Sequence, residues 1–95
     1  MPNNLLGTLI TSKTRLKLLS RFFLNQNLSG YLQGLSKELE ENTNSIRVEL
    51  NRLEEAGMLS SNLQGRRKLY RVNTLHPLTS DITSIVRKVA GIDAV

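Results

Sequence analysis

The segment NTNSIRVELNRLEEAGML, residues 42–59, contains side-chain types that can distinguish base pairs. At about 100° per residue, a helix here would bury Ile46, Leu50 and Leu53. The opposite face would present Asn44, Val48, Asn51 and Glu55, flanked by Arg47 and Arg52. Asparagine can pair with adenine through two hydrogen bonds, arginine can do so with guanine, and an aliphatic group can contact a thymine methyl. Exposed Asn and Arg also occur on any solvated helix. The neighbouring elements must therefore decide whether this face reads DNA or is merely solvated.

The residues before this segment predict a shorter supporting helix. Leu35 and Leu39, one turn apart, indicate a helix over 33–41, after a brief extended piece at Tyr31 and Leu32. Asn42 suits the N-cap of the next helix, 43–56, and Gly57 suits its C′ position. Helix, short turn and helix form a helix-turn-helix, in which the second helix enters the major groove by its N-terminal residues.

A basic hairpin is predicted after the second helix, over residues 58–73. Gly65 permits a tight turn, and Arg66, Arg67 and Lys68 place three cations at its tip. Such a hairpin, the wing of a winged helix, can contact the DNA backbone or insert an arginine into a narrow minor groove. The alternative is a surface hairpin whose charges only protect an exposed edge strand. Tyr70 is expected to pack in the core.

Two further helices flank these elements. Ser12 suits the N-cap of a helix over 12–25, and Pro77 suits the first residue of a helix over 77–90. The apolar residues 5–10, interrupted by Gly7, fit either a short helix or a strand. We therefore expect one domain, residues 1–95, of the mainly α class with a small β-hairpin (α+β): a winged helix-turn-helix.

The net charge of +5 suits a polyanionic partner, and its distribution is uneven. Residues 1–21 contain four basic and no acidic residues, and residues 65–72 do so as well. Between them, residues 37–57 contain six glutamates and three basic residues. The glutamates oppose phosphate, so we expect nonspecific DNA affinity to come chiefly from these two basic blocks. Glu49 is expected on the core flank of its helix.

Other classes of function find little support in the sequence. There is no cysteine, which excludes disulfides, thiolate metal sites and a cysteine nucleophile, and a cytoplasmic location is expected. The one histidine, His76, precedes Pro77, where a capping or loop role is expected. We predict no catalytic residues, no metal site and no cofactor. No apolar run approaches the roughly 20 residues of a membrane span.

The string LSKELEENTNSIRVELNRLEEAGMLSSNLQGRRKLYRVNTLHPL resembles the winged-helix domains of ArsR-type bacterial transcription regulators, particularly small one-domain relatives. Its most specific parts are SIRVELNRLEEAGML and GRRKLYRVN, and the similarity extends over residues 12–90. The resemblance implies a homodimer that forms through the first and last helices. It also implies DNA contacts from the recognition helix by Asn44, Ser45, Arg47, Val48 and Asn51.

The chain departs from the family pattern at two places. Glu40 and Glu41 stand where the family commonly has a glycine and an apolar residue between the two helices. The cysteines or clustered histidines and carboxylates of metal-sensing members have no counterpart here, so metal control is not transferred.

The leading hypothesis is a sequence-specific regulator that binds double-stranded DNA as a homodimer, with Ile85, Val86 and Val89 supplying apolar surface for the dimer. The alternative is a winged-helix protein-interaction module, whose acidic helix pair faces a partner protein instead of DNA.

Overall fold

The computed structural model describes residues 12–90, so the apolar segment at 5–10 lies outside the described part. Within it, the order of elements is α1 (Lys13–Phe23), β1 (Gly30–Tyr31), α2 (Leu32–Leu39), α3 (Thr43–Glu55), β2 (Leu59–Gln64), β3 (Arg67–Val72) and α4 (Thr79–Val89). The elements predicted over 12–90 are all present, with ends that differ by no more than two residues. None of the helices in this part of the chain is long and apolar enough to cross a membrane.

Helices α2 and α3 are closed by the same hydrogen-bond pattern. At the end of α3, Gly57 N–H donates to the Glu54 carbonyl and Met58 N–H to the Leu53 carbonyl, with Gly57 at φ 81°. At the end of α2, Glu40 and Glu41 N–H donate to the Lys37 and Ser36 carbonyls. Both are Schellman motifs, which need a left-handed residue at C′. The C′ role predicted for Gly57 is confirmed.

Glu40 occupies the equivalent left-handed position at the end of α2, with φ 56° and ψ 48°. Glu40 is the first departure from the family pattern, which commonly has a glycine here. The turn nevertheless keeps the left-handed geometry, which a glycine would adopt more easily. The turn is also held by Ser36, whose hydroxyl donates to the Glu41 carbonyl at 2.6 Å. Asn42 then caps α3, since its side-chain oxygen accepts from the N–H groups of Asn44 and Ser45.

The hairpin belongs to a three-stranded antiparallel sheet of order β1-β3-β2. Gln64 pairs with Arg67, so Gly65 and Arg66 form a two-residue turn, and Gly65 has φ 67°. The extended piece predicted at Tyr31 and Leu32 lies one residue earlier and is the third strand. Its Tyr31 is opposite Leu69. The sheet therefore joins the wing directly to the start of α2.

One hydrophobic core lies between the helices and the inner face of the sheet. Its fully buried side chains come from every helix and from β2, namely Leu18, Phe22, Phe23, Leu35, Ile46, Leu50, Leu59 and Val86. Tyr70 is 5% exposed, which confirms its predicted core position. The fold is the expected α+β winged helix-turn-helix.

The last helix begins at Thr79, and the prediction that Pro77 is its first residue is wrong. Asn73 and His76 accept side-chain hydrogen bonds from the N–H groups of Leu75 and Leu78, which keeps residues 73–78 in successive turns. Proline fixes φ near −65°, a value that suits a turn as well as a first helical turn. The capping or loop role expected of His76 is confirmed by its bond to Leu78.

Candidate nucleic-acid interface

Helix α3 divides into a buried and an exposed face as its periodicity predicted. Ile46 and Leu50 are fully buried, whereas Val48 is 40% exposed. The other predicted contact residues of this helix are also exposed: Asn44, Ser45, Arg47 and Asn51. The Arg47 guanidinium donates a hydrogen bond to the Asn44 side-chain oxygen, so these two side chains lie next to each other on the exposed face. The outer face thus combines two amides, a guanidinium and an aliphatic group.

The wing carries its cations on different sides of β3. Arg66 is exposed in the turn itself. Arg67 lies on the outer face, where its guanidinium carbon is 3.7 Å from the centroid of the Tyr31 ring. Lys68 lies on the inner face, because side chains alternate along a strand and Tyr70 two residues later is buried. The structure therefore gives the three predicted wing residues different surroundings.

Part of the predicted site converges on one cleft of about 370 Å³ between α3 and the wing. Arg47 and Asn51 of α3 line one side. The three wing cations line the other, and the lining is completed by Tyr31, Leu32, Gln33 and Tyr70. Asn44, Ser45 and Val48 lie outside it and line a hollow of about 230 Å³ beside Ser12 and Thr14. Tyr31 and Gln33 were not predicted as part of this site, because only the pairing of β1 with β3 brings them to the wing.

Lys68 is held by an acid of the recognition helix. Its ammonium lies 3.0 Å from Glu54 Oε1, and the Ser61 hydroxyl donates to Glu54 Oε2 at 2.6 Å. The hydrogen bonds from Ser61 and then from Lys68 hold the pKa of Glu54 below its ordinary value, and the Glu54 carboxylate raises the pKa of Lys68. Both groups are charged at neutral pH, and their charges largely cancel.

The first basic block is paired with the glutamates of the helix-turn-helix. Arg21 Nε lies 2.6 Å from Glu38 Oε2, and Lys17 Nζ lies 2.8 Å from Glu41 Oε2. The hydrogen bonds from Lys17 and then Thr14 lower the pKa of Glu41. Three cations of α1, namely Arg15, Lys17 and Arg21, thus neutralise acids of the helix-turn-helix. The expectation that this block supplies nonspecific DNA affinity stays a prediction, and these ion pairs weigh against it.

Glu49 is the buried acid of α3, and its expected place on the core flank is confirmed. It is 6% exposed, and Arg15 of α1 donates to both of its oxygens, at 2.8 and 3.4 Å. Arg52 Nη1 approaches Glu49 Oε2 at 3.6 Å. This pair fixes α3 to α1 through charge-assisted hydrogen bonds. Within residues 12–90, no group of three or more potential His, Cys, Asp or Glu ligands is arranged to hold a metal ion.

Comparison with solved structures identifies the fold. The chain is similar to a homodimeric winged helix-turn-helix DNA-binding domain from Mycobacterium bovis, a possible ArsR-family transcriptional regulator, with TM-score 0.64 and 18% identity over 93% of this chain and 77% of the other. It is also similar to reduced HlyU from Vibrio cholerae, with TM-score 0.65 and 12% identity over 99% of this chain and 92% of the other. Neither a protein-family model nor a curated protein matches the sequence.

Proposed function

We propose that this chain is a bacterial, cytoplasmic transcription regulator of the ArsR type that binds double-stranded DNA sequence-specifically. The observation that carries the proposal is the cleft in which Arg47 and Asn51 of α3 face the wing cations. A recognition helix supplies base contacts, and an adjacent basic wing supplies phosphate or minor-groove contacts. The solved neighbour described as a DNA-binding domain supports the same function for this fold.

The exposed residues of α3 are assigned to the major groove. Asn44 and Asn51 carry amides suited to adenine, Arg47 suits guanine, and Val48 suits a thymine methyl. Ser45 is exposed in the first turn, where a hydroxyl can contact a base or a phosphate. Each bidentate contact contributes roughly 1–3 kcal/mol of discrimination between bases.

The wing is assigned to the flanking backbone or minor groove. Arg66 is exposed in the turn and is the candidate for minor-groove insertion, since arginine is attracted to narrow A·T-rich grooves. Arg67, stacked on Tyr31, is pre-oriented to bind a phosphate near the start of α2. Lys68 adds positive charge close to the turn of the wing, with its ammonium already engaged by Glu54.

The alternative, a protein-interaction module that presents an acidic helix pair, has less support from the structure. Four of the six glutamates in this region are engaged by cations of α1 or the wing, namely Glu38, Glu41, Glu49 and Glu54. A partner protein would thus meet a largely neutralised surface. DNA remains the better match, because Arg47 and Arg66, two of the proposed contact residues, are exposed cations.

We further propose that the protein acts as a homodimer through α1 and α4. An apolar hollow of about 360 Å³ opens where these helices meet the end of α3, lined chiefly by Leu19, Leu53, Met58, Ile82, Ile85 and Val86. Ile85 is 38% exposed beside it. The M. bovis domain of the same fold is homodimeric. A dimer would place two recognition helices on half-sites about one helical turn apart.

Selection of bound sequences from a random duplex pool tests the DNA proposal, and the selected site is then titrated at several salt concentrations. A palindromic site and a linear decrease of log K with log salt are expected. The triple variant Arg47→Ala, Asn51→Ala and Arg66→Ala should lose specific binding. Unchanged binding by this variant would refute the assignment of the interface, and a monomeric mass by light scattering at tens of micromolar would refute the dimer.

A further inference from the structure

Glu54 connects three elements, α3 and both strands of the wing. It lies in the last turn of α3, and its carboxylate accepts from Ser61 of β2 at one oxygen and from Lys68 of β3 at the other. Ser61 and Lys68 are on the inner face of the hairpin, the face that also carries Tyr70. One side chain of the recognition helix therefore holds both strands of the wing.

A second contact fixes β3 from its outer face. The Arg67 guanidinium stacks on Tyr31, whose backbone pairs with Leu69 at the end of β1. Arg67 and Lys68 are consecutive, so the first two residues of β3 are tied to the start of α2 and to the end of α3. The wing is therefore held on both faces close to its turn.

We propose that Glu54 is a positioning residue, which sets the place of the wing relative to the recognition helix, and that Lys68 serves DNA binding mainly through this contact. The inference rests on the proposed DNA function. When the two contact regions are held at the spacing that their DNA site requires, less conformational freedom is lost on binding. Without the contacts of Glu54, the wing would have more freedom relative to α3. Restricting that freedom on binding would cost free energy and weaken affinity for the specific site.

Charge and positioning predict opposite outcomes for the loss of Glu54. An acid near a DNA-binding surface repels phosphate, so its removal should strengthen binding to every sequence if charge is its only effect. If Glu54 positions the wing, its removal should weaken binding to the selected site while binding to random DNA does not weaken. The sign of the change therefore separates the two roles.

Glu55 offers a matched control because it is the next residue of the same helix. It is exposed, and it has no part in the contacts that tie Ser61 and Lys68 to the helix. Glu55→Ala removes the same charge at nearly the same place. We expect it to bind both the selected site and random duplex as tightly as the unmodified protein, or about twofold more tightly.

The experiment measures Kd for the selected duplex and for a random-sequence duplex of equal length, at one fixed salt concentration. Glu54→Ala should bind the selected site about threefold to fivefold more weakly, the range that corresponds to a partly exposed ion pair. Its Kd for random duplex should equal that of Glu55→Ala. If Glu54→Ala gains affinity for both duplexes, as Glu55→Ala does, the proposal is overturned.

A charge exchange provides a second, independent readout. Glu54→Lys adds positive charge but places two ammonium groups together, so specific binding should fall although charge alone predicts a gain. Adding Lys68→Glu restores an ion pair at the same net charge as the unmodified protein, and specific affinity should return to within about twofold. If the double variant binds no better than Glu54→Lys, Lys68 does not act through Glu54.

Failure of the proposed function would be recognised separately. If the unmodified protein selects no DNA sequence, the DNA role fails for both residues. The hold itself is then judged by amide hydrogen exchange of the free protein, in which Glu54→Ala should speed exchange in β2 and β3 and Glu55→Ala should not. Equal exchange in the two variants would show that Glu54 does not restrain the wing.

Discussion

The two basic blocks have equal charge in the sequence but different roles in the structure. In α1, Arg15, Lys17 and Arg21 are each paired with a glutamate of α2, α3 or the turn between them. In the wing, Arg66 is exposed and Arg67 stacks on a tyrosine, and Lys68 alone is paired with an acid of residues 12–90. The first block thus holds the helices together, while the second leaves cations for a partner. Net charge counts both blocks equally, whereas ion pairing distinguishes cations engaged within the fold from cations that are exposed.

The largest expected effect is on stability, from the first block. Arg15→Ala leaves the buried Glu49 with only the 3.6 Å approach of Arg52, and we expect the free energy of unfolding to fall by about 2 kcal/mol. Lys13→Ala, which removes one exposed cation from the same helix, is the control and should change it by less than about 0.5 kcal/mol. Urea denaturation measures both. Equal stability of the two variants would contradict a structural role for this block.

The next effect is on DNA affinity and its salt dependence, from the second block. Arg67→Ala should lower the slope of log K against log salt by about 1 per bound protomer, because the phosphate contact proposed for Arg67 is lost. Lys17→Ala removes the same charge from α1 and should leave that slope unchanged, since Lys17 is engaged by Glu41 and the Leu39 carbonyl. A lower slope for Lys17→Ala would mean that both blocks bind DNA, which would contradict the different roles inferred for them.

A smaller effect is expected at Glu40. It lies between Glu38 and Glu41, each of which is paired with a cation of α1. Its left-handed backbone favours glycine, so Glu40→Gly should be more stable than Glu40→Ala by about 1 kcal/mol in thermal or urea unfolding. Neither substitution removes a charge pair of either block, so specificity for the selected site should be unchanged. If the alanine variant is as stable as the glycine variant, the turn is not under backbone strain.

The smallest expected effect is the acid dependence of stability. The pKa values of Glu41, held by α1, and Glu54, held by the wing, are both lowered from 4.5 in the folded state. Their contribution is therefore fully present above about pH 4.5 and is lost as pH falls through the lower folded pKa values. Urea unfolding between pH 6 and pH 3 should show a shallower acid decline for Glu41→Gln and for Glu54→Gln. An unchanged decline in either variant would show that its carboxylate is not stabilised by folding.

Local patterns predicted most of the fold. The period of Ile46, Leu50 and Leu53, the cap at Asn42 and the glycines at 57 and 65 act within a few residues, so the helices and the hairpin follow from the sequence. The start of α4 was misplaced because proline suits two conformations. The candidate contact residues on α3 were predicted as exposed, and they are. Whether they bind DNA stays a prediction.

The long-range pairings could not be predicted in this way. Arg15 and Glu49 are 34 residues apart, and nothing in their local sequence says that α1 places one guanidinium on that carboxylate. The same is true of Arg67 and Tyr31, which meet only through the pairing of β1 with β3. Such contacts depend on tertiary packing, and they decide which cations are available at the surface.

The direct passage from β1 into α2 limits how this protein can change shape. Tyr31 ends the strand and Leu32 begins the helix, so no linker separates the sheet from the helix-turn-helix. Hinge motions need a few residues that can absorb a change in backbone dihedral angles, and none lies between these elements. A movement of the wing away from α2 would therefore have to break the pairing of β1 with β3 or change the dihedral angles at the junction of Tyr31 and Leu32. The orientation of the wing and the integrity of this short strand are thus coupled.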